Sequence, residues 1–116
     1  MLRKTILEQV EETFADCKIG TLLSRREIIE AVHLRHNTNR SSIIPSGYCY
    51  NITNQGKQQS QGMDQFYIFE YISRNTYKYL GKHFPYSGAV YHKPKGSQNE
   101  YLVGFWKNGV FEPKSE

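Results

Sequence analysis

The apolar positions keep helical spacing over the first third of the chain and give way to dense β-forming runs in the second half. Between residues 3 and 16, Ile6, Leu7, Val10 and Phe14 recur on one side of a helical wheel, with Glu8, Glu11, Glu12 and Asp16 on the other. Lys18-Ile19-Gly20 closes that helix, glycine being suited to a left-handed cap. Thr21-Leu22-Leu23 reads either as a stub of strand or as an extended link. Ser24-Arg25-Arg26-Glu27 then has the S-x-x-E form, in which serine and glutamate each satisfy a free amide at a helix start. Ile28, Ile29, Val32 and, more loosely, His36 share a face, which predicts a second helix from Arg25 to about His36.

After the break at Asn37-Thr38-Asn39, the segment Arg40-Ser41-Ser42-Ile43-Ile44-Pro45 opens a third helical stretch that continues through Ser46-Gly47-Tyr48-Cys49-Tyr50-Asn51. Ser41 or Ser42 serves as its N-cap and Pro45 falls in its first turn, where a missing amide proton breaks no bond. Ile44, Tyr48 and Ile52 form a packing face. Gly47 is costly in a helix interior and marks a split into two short helical turns. Residues 53 to 65, rich in Gln and Gly, read as a flexible connector. Residues 66–72 and 77–81 are dense in β-formers around the turn Ser73-Arg74-Asn75-Thr76, which predicts a hairpin. Residues 89–92 and 101–106 read as two more strands, and Asn108-Gly109 as a tight turn into Val110-Phe111. The last residues, from Pro113, are expected to fray.

Helix, turn, polar helix and aromatic hairpin is the order of a winged helix-turn-helix. The expected class is therefore α+β, a winged helix-turn-helix with a C-terminal β-hairpin extension. It forms one domain over residues 1–116, with a core at 3–82 and the extension at 83–112. Length agrees, since 116 residues suffice for one core and not for two. Apolar residues make up 38% and the mean hydropathy is −0.67, so the core must lean on tyrosine and phenylalanine.

Charge turns this fold expectation towards nucleic acid. Fifteen Lys and Arg against eleven Asp and Glu give a net charge of +4 and a pI near 9.1, which favours polyanionic partners. In the third helical stretch Arg40, Ser41, Ser42, Ser46, Tyr50 and Asn51 lie off the packing face. Arginine pairs with guanine and asparagine with adenine in the major groove. Against this, Ser and Asn also cap and terminate short helices. Arg25, Arg26, Lys57, Arg74 and Lys78 would reach phosphates or the minor groove, Arg74 and Lys78 from the hairpin wing. The alternative for that hairpin is a cross-strand tyrosine ladder covering the core. Trp106 is a core residue or an exposed stacking platform.

Other chemistry is thinner. Cys17 and Cys49 are too few for a disulfide scaffold and lack C-x-x-C spacing, which fits free thiols in a reducing compartment. His33 and His36 are spaced to share a metal, but no further ligands accompany them, and solvent-facing histidines near a helix C-terminus are expected. A Cys49 nucleophile with His33, His83 or His92 as base is arithmetically possible and nothing in the spacing requires it. No apolar run approaches a membrane span, and the N-terminus leads into an amphipathic segment, so a cytoplasmic location is expected. No cofactor is implied.

The stretch Ser41-Ser42-Ile43-Ile44-Pro45-Ser46-Gly47-Tyr48-Cys49-Tyr50-Asn51, with Phe69-Glu70-Tyr71, Tyr77-Lys78-Tyr79-Leu80-Gly81 and Pro85-Tyr86-Ser87-Gly88 after it, resembles small bacterial domains of unknown function built around an I-P-S-D-Y-C-Y-N core. The resemblance covers about residues 24 to 106 and implies a winged-helix-like fold and nuclease-linked contexts. Gly47 stands where that pattern has aspartate, and no H-N-H constellation or paired-carboxylate site accompanies it. The expected function is non-catalytic duplex-DNA binding through the third helical stretch and the wing. The alternative is a small protein-interaction module or inhibitor using the tyrosine-rich hairpin, since tyrosine and arginine also dominate protein interfaces.

Overall fold

The computed structural model describes residues 4–53, 67–92 and 99–113. The start of the first helix at residue 3, most of the Gln/Gly connector with Lys57, Phe66 at the start of the hairpin, residues 93–98 of the following loop and the last three residues lie outside them. Two α-helices, α1 (Ile6–Thr13) and α2 (Arg25–His36), flank a two-residue strand β1 (Leu22–Leu23). Two 3₁₀ turns follow, Arg40–Ser42 and Pro45–Tyr48, and then the strands β2 (Ile52–Thr53), β3 (Phe69–Ser73), β4 (Thr76–Tyr79), β5 (Gly88–His92), β6 (Tyr101–Lys107) and β7 (Val110–Pro113).

Both helices start at capping boxes. Ser24 and Glu27 form the one read from the sequence, and Thr5 with Glu8 forms a second at the head of α1. Helix α1 is shorter than its periodicity predicts. It stops at Phe14, just before Asp16, a weak helix former. Asn37, in the left-handed conformation, closes α2 by donating its amide to the His33 carbonyl.

The strands form two sheets, one in the order β1-β4-β3 and one in the order β2-β5-β6-β7. The named strands pair antiparallel except the short β2 on β5, and Cys49 forms an isolated parallel bridge with Phe69. Each sheet has its own core. Val10 of α1 and Phe14 at its C-cap, Ile28, Ile29 and Val32 of α2, and Phe69, Tyr77 and Tyr79 of the hairpin lie in the first. Tyr50, Tyr67, Leu80, Tyr86, Val90 and Trp106 fill the second. The hairpin tyrosines are therefore a cross-strand ladder over the core, with Tyr71 edge-on to Tyr77 at 5.7 Å and Phe69 edge-on to Tyr79 at 6.0 Å. Trp106 is 2% exposed, a core residue.

This mostly β, two-sheet arrangement is not a winged helix-turn-helix. The third helix that such a fold requires is absent among the described residues, and the cause is local. A residue before proline is pushed out of the α region. Ile44 accordingly sits at φ −118°, ψ 91°, and Ile43 is extended as well. The chain makes one 3₁₀ turn before them, capped by Asn39, and a second after them with Pro45 at its start. Ile43 rather than Ile44 packs inward, at 1% exposure against 47%. The C-terminal strands are likewise no appendage. They make a four-stranded sheet over a core of its own.

Residues 48–53 join the two halves. The Tyr48 carbonyl accepts from the Ile68 amide and the Tyr50 amide donates to the Phe69 carbonyl, beside the start of β3. One step on, the Asn51 carbonyl accepts from Tyr91 and β2 runs parallel to β5. Cys49 thus lies in the first core and Tyr50 in the second. A single extended segment serves as an edge to both sheets.

Candidate functional site

The register of the shortest strand decides which charged groups meet. In the β1–β4 pair Leu23 lies opposite Tyr77 and Leu22 opposite Lys78. The chain leaving Leu23 enters α2 at Ser24, while β4, traced back towards β3, reaches the turn Arg74-Asn75. Antiparallel pairing therefore sets the first turn of α2 beside the hairpin tip. Arg25, Arg74, Asn75 and Tyr77 line a cleft there of about 430 Å³.

Both arginines are exposed, and among the described residues neither forms an ion pair. Among the described residues no carboxylate lines the cleft. Tyr77 is 3% exposed, and burial pushes its phenol up to about 12; the neighbouring Cys49 and Tyr71 add to the rise and the Arg25 guanidinium opposes it. It stays a neutral hydroxyl at physiological pH, a donor to anything anionic that the arginines attract.

The other sequence-predicted contacts are placed differently. Arg26 is exposed on the same face of α2 as Glu30, one turn on. Arg40 folds back on Glu30, its Nε 2.8 Å from one carboxylate oxygen and 3.1 Å from the other, and this hydrogen bond is the main cause holding the Glu30 carboxyl below its usual range. Helix α2 is about 18 Å long at 1.5 Å per residue, and Arg40 follows its far end, away from the hairpin tip. Ser41 donates its amide and hydroxyl to the Asn39 side chain, Ser42 is exposed, and Ser46 is half-buried. Lys78 lies 3.8 Å from Glu70 across the hairpin.

Tyr50 and Asn51 are structural. Tyr50 is 1% exposed, its hydroxyl donates to the Gly81 carbonyl at 2.8 Å, and it accepts from the Phe84 amide at 3.1 Å. The Asn51 side chain accepts from the Tyr71 amide and donates to the Tyr71 carbonyl, both at 2.8 Å, so it completes the β3 ladder as a strand partner would. The Tyr50 side chain is inside the core, and the Asn51 amide is engaged on both sides by the Tyr71 backbone. Arg40 is held by Glu30, whereas Arg25 and Arg74 line one cleft.

Cys49 is wholly buried, its thiol donates towards the Pro45 carbonyl at 3.5 Å, and burial, assisted by the Glu70 charge, pushes its pKa up. A protonated thiol without solvent access is no nucleophile. Both cysteines are free. His33 Nδ1 is 2.8 Å from the Thr38 carbonyl, and His36 faces Glu12. Among the described residues no three His, Cys, Asp or Glu side chains are grouped to hold a metal, and no helix is long and apolar enough to cross a membrane. A larger cleft, about 560 Å³, lies beside α1 between Lys4 and Lys82, but its charges answer one another: Lys82 pairs with Glu11 at 3.3 Å and Lys4 with Glu12.

Tyr77 is the one member of the Arg25 cleft that reading residues in order assigns to the ladder alone. Its signal lay in the Leu22-Leu23 stub, whose pairing with the hairpin brings the α2 start against it.

Residues 5–112 match the model of a domain of unknown function, DUF7225. The chain belongs to this family. A bacterial relative, the uncharacterised protein YnaC of Bacillus subtilis (strain 168), is 40% identical over 106 residues, which are 91% of this chain and 38% of YnaC. The chain thus spans under two fifths of that relative's length. No solved structure matches. DUF7225 membership agrees with the resemblance to small bacterial domains of unknown function, while the winged-helix fold expected with it does not hold.

Proposed function

We propose that this domain is a non-catalytic nucleic-acid-binding module that holds the phosphate backbone through Arg25 and Arg74. The observation that carries the reading is their meeting across the β1–β4 register in a cleft with no carboxylate among its described lining residues. Arginine forks fit phosphate oxygens, and phosphate contacts supply most of the sequence-independent affinity of such proteins. Several other cations are engaged by carboxylates, Arg35 and Lys4 by Glu12, Arg40 by Glu30, Lys82 by Glu11 and Lys107 by Glu112, while Lys18 and Arg26 are not among the residues that line this cleft. The net charge of +4 favours the same partner. With Tyr50 buried and the Asn51 amide engaged by the Tyr71 backbone, contacts to phosphates are favoured over contacts to base edges.

The protein-interaction alternative is the less favoured reading, because Tyr77 and Tyr79 of the hairpin are buried and Tyr71 is only partly exposed. The test is a salt-titrated binding assay of the whole chain against double- and single-stranded DNA and RNA. Replacing Arg25 and Arg74 together with alanine should weaken binding and flatten the log-log salt dependence by about 0.9 per lost duplex contact. Unchanged affinity and slope would remove the cleft from the binding surface.

A further inference from the structure

We infer that the Arg25–Arg74 cleft is a socket for the terminal phosphate of a nucleic-acid strand, a phosphomonoester, rather than one stop on a track of internal phosphodiesters. The inference rests on the nucleic-acid reading and narrows its ligand.

Charge is the first argument. Two guanidiniums line a cleft with no carboxylate among its described lining residues. An internal phosphodiester brings a single negative charge. A phosphomonoester carries about −1.5 to −2 at pH 7, which matches the pair. The second argument is the number of acceptors. Each guanidinium is a planar fork that binds two oxygens best. The forks come from different walls, Arg25 from the start of α2 and Arg74 from the hairpin turn. A monoester offers three terminal oxygens to be divided between two such forks and a further donor. A diester has fewer free oxygens and a chain leaving on both sides.

The surroundings supply the third argument. A track needs a row of available cations. Lys78 is drawn towards Glu70 at 3.8 Å, and Arg26, exposed on the Glu30 side of α2, is not among the described residues that line the cleft. The remaining lining groups are neutral, the Asn75 amide and the Tyr77 hydroxyl, and each can donate to an oxyanion. Tyr77 is too buried for a base to stack on its ring, so the site grips phosphate and ignores the base. Binding should depend on the end of the strand and not on its sequence.

The experiment compares one short oligonucleotide carrying a 5′-phosphate, a 3′-phosphate or hydroxyls at both ends, in DNA and RNA, titrated against the whole chain. Inorganic phosphate serves as a competitor. A terminal phosphate at one end should tighten binding about tenfold, the size of a charge-assisted bidentate contact. Arg25→Ala and Arg74→Ala should each abolish the difference between phosphorylated and hydroxyl-ended strands. Arg25→Lys, which keeps charge but loses the fork, should recover it only in part. Thermal melts of all variants should superimpose on the parent chain. Equal affinity for all three ends, with the arginine variants weakening every one, would overturn the terminal-phosphate socket and leave backbone binding in place. Failure of every oligonucleotide to bind at low salt would overturn both. Inorganic phosphate competing as well as the phosphorylated strand would overturn the nucleic-acid ligand in favour of a free oxyanion.

Discussion

Two regions of this domain carry the residue types expected of a nucleic-acid contact, and they have opposite fates. The segment Tyr48 to Asn51 buries its aromatic rings in two cores and ties its partly buried amide to the β3 backbone. The Arg25–Arg74 cleft, assembled from a helix start and a hairpin turn, leaves its charges outside. Asparagine and tyrosine serve a backbone ladder as readily as a base edge, so their identity alone does not distinguish the uses. Arginine is harder to hide. Without a carboxylate its charge must stay near water, which makes two unpaired arginines in one cleft the more discriminating sign.

Tyr50→Ala probes the buried region hardest. Tyr50 stacks on Tyr86 at 5.2 Å, meets Trp106 edge-on at 5.6 Å, and its carbonyl accepts from the Trp106 indole at 2.8 Å. Truncating a ring of that size inside a core costs about 3–5 kcal/mol, and chemical denaturation should show it. Tyr50→Phe keeps the ring and strands the Gly81 carbonyl and the Phe84 amide, at a cost of about 1–3 kcal/mol. A Tyr50→Phe chain of parental stability that no longer binds nucleic acid would return this motif to the contact surface and reverse the comparison.

Asn51→Ala comes next. It removes both hydrogen bonds that the side chain gives the Tyr71 backbone, in a partly buried place, and should cost about 1–3 kcal/mol by the same measurement. Binding, measured well below the melting temperature, should match the parent.

These two residues show where the sequence was legible. Periodicity and capping found α2 with its end at His36, and alternation with turn chemistry found the hairpin and the C-terminal strands, because each signal is local. The Asn108-Gly109 turn is one such case, both residues taking positive φ between β6 and β7. What was hidden depends on partners distant in the chain. Nothing near Asn51 announces that its amide completes a strand twenty residues on, or that Ile52 pairs with Tyr91. The apolar positions 44, 48 and 52 imitate a helix face, but Pro45 forbids the α conformation at Ile44. The candidate cleft was half legible. Arg25 and Arg74 stood out by type, and only the two-residue strand β1 shows that they meet.

On the exposed side the predictions shrink in stability and move to affinity. Arg25→Ala and Arg74→Ala should leave the denaturation midpoint within about 0.5 kcal/mol of the parent, as surface changes usually do, while lowering affinity for the phosphorylated strand. Arg40→Ala is the matched control. Arg40 already spends its fork on Glu30, so its loss should change affinity less than about threefold, an exposed pair of this kind having little effect. A larger loss than for Arg74 would move the binding surface to the other end of α2.

The smallest effect is the pH dependence carried by His36, which tests whether burial or charge governs the α1–α2 seam. His36 Nε2 is buried without a hydrogen bond, 3.6 Å from Glu12, a carboxylate already engaged by Lys4 and Arg35. Burial, followed by repulsion from Arg35 and Lys4, holds its pKa below 6.5, and a hydrogen bond with the Gln9 backbone opposes the shift. The unfolded chain therefore binds the proton more readily, and this contribution is complete above pH 6.5 and lost as the pH falls below it. Glu8, lowered by its hydrogen bonds to Thr5, and Glu30 act in the same direction only below their ordinary 4.5, so the two windows separate. Urea midpoints measured between about pH 7.5 and pH 5.5 should fall slightly with acid, and His36→Gln should remove that slope. Were attraction to Glu12 to outweigh burial, the His36 pKa would be raised and the slope would run the other way, with acid stabilising the seam.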